Sequence, residues 1–168
     1  AAAIVRGETA GAVIHDPVLN DSALALRGEG AWLEGSAGTS RDLRVGRPVA
    51  LAAMNGMASW QYFPEPLRSA LPARFPAFAS VASLRCCGQE YRLAAAGRCD
   101  FLLYGGLNPW DHAPGVLLFS EAGGHARMLD GGFYLPGHPS TGLLCAPDAE
   151  SWRRIRDRLT GPGTGPLA

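Results

Sequence analysis

The sequence predicts an α+β protein in which helices and sheets are stacked in layers. Three observations carry this. Residues 1–45 are a succession of short apolar or alternating runs separated by turn residues, the pattern of a strand meander. From Pro64 onward, strand-like and helix-like segments alternate, which predicts some parallel pairing. The chain of 168 residues is 47% hydrophobic and 18% charged, enough apolar surface for a core and too little charge for a disordered chain.

Taken in order, residues 2–6, 11–15 and 22–27 read as three strands. Gly7-Glu8, Asp16-Pro17 with Asn20-Asp21, and Gly28-Glu29-Gly30 supply the turns. Residues 47–55 are an apolar run predicted as a buried strand. A helix is predicted over 66–73, limited by Pro72 and Pro76. A strand follows over 80–86, then a helix over 89–96 that ends at Gly97. Residues 100–104 form a short strand, and 111–122 a helix stopped by Gly123-Gly124. Strands over 125–129 and 142–146 precede a last helix over 148–159, capped by Asp148, with Trp152, Ile155 and Leu159 on one face. A soft boundary near Gly46 divides a meander over 1–46 from an α/β subdomain over 47–160. The Gly/Pro-rich tail 161–168 is expected to fray.

Composition excludes several classes. The 15 basic residues, all arginine, balance 15 acidic ones, which argues against a nucleic-acid partner. No run approaches the roughly 20 apolar residues of a membrane span. The N-terminus has neither the charged region nor the cleavage site of a signal peptide. It also lacks a methionine and opens inside a strand, which reads as a piece of a longer protein. Cys86, Cys87, Cys99 and Cys145 have no metal-ligand spacing and an awkward disulfide framework, so they are expected to be reduced thiols of a cytoplasmic protein.

Chemistry concentrates in Asn108-Pro109-Trp110-Asp111-His112-Ala113-Pro114-Gly115, followed by an apolar helix and Glu121-Ala122-Gly123-Gly124. A carboxylate at a helix start caps free N–H groups, or it projects into a cleft and ligates a hard cation such as Mg²⁺. Asp111 is open to both readings. Pro114 is placed in the first turn, where its missing N–H costs little, and Gly115 is expected to let another backbone approach.

The string Trp-Asp-x-Ala-x-Gly, an apolar helix and Glu-Ala-Gly-Gly resembles the C-terminal signature of the inositol monophosphatase family. Gly11-Ala12-Val13-Ile14-His15-Asp16-Pro17 and Arg27-Gly28-Glu29-Gly30-Ala31-Trp32 resemble that family's strand-and-turn and hairpin segments. The resemblance covers most of residues 1–160. It implies an α-β-α-β-α sandwich, a Mg²⁺-dependent phosphomonoesterase acting on a small phosphorylated metabolite, and a homodimer. It also implies that Asp111 ligates Mg²⁺. The family's other ligands, a Glu-Glu pair and Asp-Pro-(Ile/Leu)-Asp-Gly-Thr, are absent. Asp16-Pro17-Val18-Leu19-Asn20-Asp21 is a lookalike in which Leu19 replaces the second Asp, and it matches a later structural turn. Clustered carboxylates are needed to hold the metals that activate water and neutralise the leaving oxygen. One Asp does not suffice, so the chain alone is expected to be inactive.

The same resemblance places substrate contacts where the helix after strand 80–86 begins. The family's Gly-(Ser/Thr)-Ala segment falls on Arg85-Cys86-Cys87, with Gly88 in reserve for the tight turn, so Cys86 and Gly88 become candidate substrate-binding residues. A Glu that contacts sugar hydroxyls in animal members falls on Tyr104, a candidate hydrogen-bonding or stacking group whose alternative is a strand aromatic. His112 adjoins Asp111 and is open to a place near the cleft, but is expected to be an ordinary surface histidine. His15, His125 and His138 share no ligand spacing with it. Asp100 and Glu90 are acid–base candidates, or solvated or capping groups. Ser120, Ser140 and Thr141 lack a nucleophile-elbow setting. The reading from another class is a non-catalytic remnant or partner-binding module that retains this scaffold.

Overall fold

Alanines on alternate positions decide how the first half packs. The structure, a computed structural model, describes residues 1–36, 38–139 and 142–161. Strands β1 (Ala2–Val5), β2 (Glu8–Asp16), β3 (Asp21–Leu26), β4 (Gly30–Glu34) and β5 (Ser40–Asp42) form one antiparallel sheet in sequence order. Ala12, Ala23, Ala25 and Ala31 all face inward and are buried. Small inward side chains let a helix lie close across the sheet, and α3 (Pro109–Glu121) does so, packing on β2, β3 and β4 through Leu117, Leu118 and Ala122. The meander has two strands more than expected, because the Gly28–Gly30 turn continues into β4 and then β5.

The second sheet has the order β7-β6-β8-β10-β9, with β6 (Asn55–Ser59), β7 (Ser80–Ala82), β8 (Phe101–Tyr104), β9 (His125–Met128) and β10 (Leu143–Ala146). β6 pairs in parallel with β7 and β8, while β10 runs antiparallel to β8 and β9. Both faces are covered, which is why β8 and β10 are continuously apolar. Phe101, Leu103 and Leu144 join Trp152, Ile155 and Leu159 of α4 (Ala149–Thr160) on one side. Leu102, Tyr104, Leu143 and Cys145 join Tyr91 and Phe119 on the other. The layers therefore run sheet, helices α2 (Cys87–Ala95) and α3, sheet, helix α4 with the short α1 (Leu67–Ala70). Among the described residues the outer face of the first sheet carries no helix.

Arg92 of α2 links the layers. Its Nη1 donates to the Ile14 carbonyl at 3.0 Å and its Nη2 pairs with Asp21, both ends nearly buried. Glu121 makes the second tie. Its two oxygens accept the N–H groups of Gly28 and Gly30 at 2.9 and 3.0 Å, joining the end of α3 to the hairpin turn. The two motifs noted separately in the sequence are thus in contact. Glu121→Gln turns one acceptor into a donor facing an N–H. It is expected to cost about 1–2 kcal/mol and to raise amide exchange at Gly28 or Gly30. Unchanged exchange at both would contradict the tie.

Several expectations need correction. Residues 47–50 are exposed and 51–53 form one 3-10 turn, so the predicted buried strand over 47–55 does not exist. The strand begins at Asn55, and its Gly56 is required because a Cβ there would lie 2.0 Å from the Phe101 ring. The helix predicted over 66–73 shortens to Leu67–Ala70 and continues as a 3-10 segment, Pro72–Ala77, since Pro72 and Pro76 cannot donate to an α ladder. Strand 80–86 ends at Ala82. Gly97, at φ 70°, ends α2 as expected, and Asp148 caps α4 by accepting the Ser151 N–H at 2.7 Å. Of the tail, residues 162–168 lie outside the described residues, as do Ser140 and Thr141.

Candidate active site

Strand β8 delivers Tyr104 to the helix layer, and Gly105 follows where a Cβ would lie 2.6 Å from the Phe63 nitrogen. The chain then enters α3. The helix begins at Pro109, two residues earlier than expected. Asp111 therefore sits third in the first turn, while Pro114 is interior and withholds a hydrogen bond from the Trp110 carbonyl. The Asn108 carbonyl accepts the N–H groups of Asp111 and His112. Asp111 itself caps no backbone N–H among the described residues. Its carboxylate is exposed, with the Asn108 amide 3.3 Å away. A solvated carboxylate beside a largely exposed Trp110 is what the first turn presents.

Immediately beneath lies a buried aromatic and polar cluster. His112 is 2% exposed, so it is a core residue rather than a surface one. Its Nδ1 is 3.1 Å from the Tyr91 hydroxyl and it makes a further hydrogen bond to the Gly106 backbone. Burial lowers its pKa despite opposing contributions from Asp111 and Gly106, which keeps the ring neutral at pH 7. The His112 ring stacks edgewise on Tyr104 at 4.6 Å, and Tyr91 lies 5.3 Å from Tyr104. Gly115 makes room for this cluster. A Cβ there would fall 2.0 Å from the Tyr91 ring, so it is a ring and not a backbone that approaches.

Tyr104 is 1% exposed and donates its hydroxyl to Glu90 Oε2 at 2.8 Å. Burial pushes the phenol well above its ordinary pKa. It offers no free group at the surface. Glu90, fully buried, is neither solvated nor a helix cap. Its Oε1 accepts the Leu84 N–H at 2.8 Å and the Ser83 hydroxyl at 3.3 Å. Glu90 thereby fixes the loop that leads into α2. Nothing local in the sequence signals this, because the partners meet only after β8 and α2 pack together.

At the start of α2, Cys86 is exposed and occupies the N-cap position, and Gly88 lies where a Cβ would come 3.3 Å from Ile14. Burial, Glu90 and Asp111 together push the Cys87 thiol up to about 12, so the field of Asp111 reaches the first turn of α2. Cys86 and Gly88 flank Cys87 at the head of α2, which packs on α3, and Asp111 stands in the first turn of α3. Asp16 accepts the Val18 and Leu19 N–H groups and the Gln89 amide at 2.9, 3.1 and 2.6 Å, the structural turn expected of it. Asp100 accepts the Asn55 N–H at 2.7 Å and holds β6. His15 bonds Ser22, His125 packs near Trp152, and His138 is exposed.

Among the described residues no three His, Cys, Asp or Glu side chains stand close enough to hold a metal ion. Among the described residues the donors present do not fit a magnesium centre, since Asp111 brings a single carboxylate. No helix among them is long and apolar enough to cross a membrane.

The model of the inositol monophosphatase family matches residues 1–160. The Nus factor SuhB of Escherichia coli (strain K12) is 34% identical over 134 residues, covering 76% of this chain and 48% of that protein. The inositol-1-monophosphatase of Rhizobium meliloti (strain 1021) is 34% identical over 131 residues, covering 76% and 47%. The chain spans about half the length of these curated relatives. An inositol monophosphatase structure from Zymomonas mobilis matches with a TM-score of 0.83 at 16% identity, over 95% of this chain and 60% of that one. Extragenic suppressor protein suhB from Bartonella henselae matches at 0.80 and 21%, over 96% and 61%. At such identities the structural likeness shows the fold alone.

Proposed function

The chain belongs to the inositol monophosphatase family, and on that premise we propose that it is the C-terminal part of a Mg²⁺-dependent phosphomonoesterase acting on a small phosphorylated alcohol or sugar. The observation that carries this is Asp111: an exposed carboxylate in the first turn of α3 that caps no backbone N–H among the described residues and directly precedes His112 of the buried cluster. In this reading Asp111 is one metal ligand, and the other acidic donors belong to the half of the relatives' length that this chain does not span. Cys86 and Gly88 line the substrate side, while Tyr104 acts from beneath through Glu90. A homodimer follows from the family, and a cytoplasmic location from the four free thiols.

Joining the chain to the half of the Rhizobium meliloti relative that it does not match tests the proposal. Mg²⁺-dependent phosphate release from a panel of sugar and polyol phosphates is expected. A folded fusion that releases none would contradict it. Relatives called Nus factors support a second reading, a partner-binding module. That reading predicts a folded, inactive fusion that still assembles with a protein partner.

A further inference from the structure

A cavity of about 440 Å³ lies on the flank of the second half of α3, a volume within the range of small-molecule sites. The helix lines it from Val116 to Glu121, roughly 8 to 15 Å along the axis from Asp111. β9 and the loop after it line it too, as do Arg27 and the β1–β2 turn. That loop is fixed. The Met128 N–H donates to the Gly132 carbonyl at 2.9 Å, the Gly131 N–H to the Met128 carbonyl at 2.8 Å, and Asp130 Oδ1 accepts the Gly132 N–H at 2.8 Å. Phe133 follows directly, and the Arg127 guanidinium lies 4.0 Å from its ring centroid. The Phe133 ring is 73% exposed, an apolar group held at the cavity rather than packed away. Tyr134 is half-buried, but its hydroxyl is sealed off without a hydrogen-bond partner among the described residues, so its ring is what the cavity meets. With Val116, Leu117 and Ala126 these rings make an apolar lining.

The charged groups of the lining divide into committed and free. Arg27 Nε and Nη2 both donate to the Thr9 carbonyl, at 2.9 and 2.7 Å, and its Nη1 is 3.6 Å from Glu8. Glu121 is held by the N–H groups of Gly28 and Gly30. Arg127 differs. Its Nη1 donates to the Ala126 carbonyl at 2.7 Å, and no carboxylate pairs with it among the described residues. Its Nε and Nη2 have no partner among them either. Those two groups form the edge of a guanidinium that a carboxylate meets with two parallel hydrogen bonds.

We propose that this cavity is a binding site for a small aromatic carboxylate, with the ring against Phe133 and Tyr134 and the carboxylate on Arg127. Aromatic walls favour a ring over a chain, and the uncompensated guanidinium selects an anion over a neutral molecule of the same shape. The site is separate from Asp111 and does not depend on the phosphatase reading.

An NMR titration of the ¹⁵N-labelled chain with 2-naphthoate, 2-naphthylmethanol and octanoate tests this. Naphthoate is expected to saturate and to shift the amides of Leu117, Ser120, Arg127 and Phe133, leaving those of Cys86, Gly88 and Asp111 in place. It should bind at least about 10-fold more tightly than the alcohol, the return from one charge-assisted pairing, and at least about 5-fold more tightly than octanoate, the return from ring contacts. Arg127→Gln should remove the preference for naphthoate over the alcohol. Phe133→Ala, at an exposed ring with little packing to lose, should weaken both naphthyl ligands and keep the ratio between them. No saturable binding, equal affinity for naphthoate and the alcohol, octanoate binding as tightly as naphthoate, or shifts confined to the heads of α2 and α3 would overturn the assignment. So would naphthoate binding that neither variant weakens. If Arg127→Gln does not fold, the three ligands on the unaltered chain and on Phe133→Ala still decide.

Discussion

Replacing Gly115 with alanine is expected to destabilise the protein by about 3 kcal/mol, lowering the melting temperature by roughly 10 °C for a chain of this size. The added carbon would start 2.0 Å from a ring atom of Tyr91. That ring cannot swing aside. It is fully buried, its hydroxyl is tied to His112, and it lies against Tyr104. The strain therefore passes to the spacing of α2 and α3, which pack on each other. Alanine's better helix propensity returns only about 1 kcal/mol. Gly88→Ala is the control: its new carbon meets Ile14 at 3.3 Å, a contact that a small shift relieves. Thermal unfolding of both variants checks this, and equal stability would show that the helix pair is not clamped as described.

Asp111→Asn is expected to do the opposite. It should lower metal-supported phosphate release by the fusion at least about 100-fold, because a neutral amide is a poor ligand for a hard cation and neutralises no charge. It should leave stability within about 0.5 kcal/mol, because an exposed side chain 3.3 Å from one amide has little packing to lose. Activity lost with stability kept separates a ligand from a structural group. Activity kept would remove Asp111 from the chemistry.

What the sequence makes legible follows from the range of the interactions. Asp148, Gly97 and the alternation along β2 and β3 are local, and each is found where its residues predict. β8 and β10 are legible as buried strands because both of their faces are covered. Residues 47–55 mislead because an apolar run with Pro48 can lie exposed, while the true strand, Asn55–Ser59, has residues of weak strand preference, held by a glycine cut to fit Phe101. The site divides the same way. Asp111 is visible as part of a motif. Its ordinary alternative, a helix cap, recedes only once the helix is seen to start at Pro109. Glu90 is invisible, since Ser83, Leu84 and Tyr104 reach it through tertiary packing. The left-handed φ of Arg85, 55°, is hidden too, because an arginine gives no sign of adopting a glycine's φ.

The most direct measurement is phosphate release by the 168-residue chain by itself, at saturating Mg²⁺, over a panel of phosphate esters. With a single acidic donor at the site, no release above the uncatalysed background is expected. Mg²⁺-dependent turnover by the isolated chain, abolished by Asp111→Asn, would show that its own residues complete a metal centre and would contradict the proposal that Asp111 is one ligand of a set this chain does not complete.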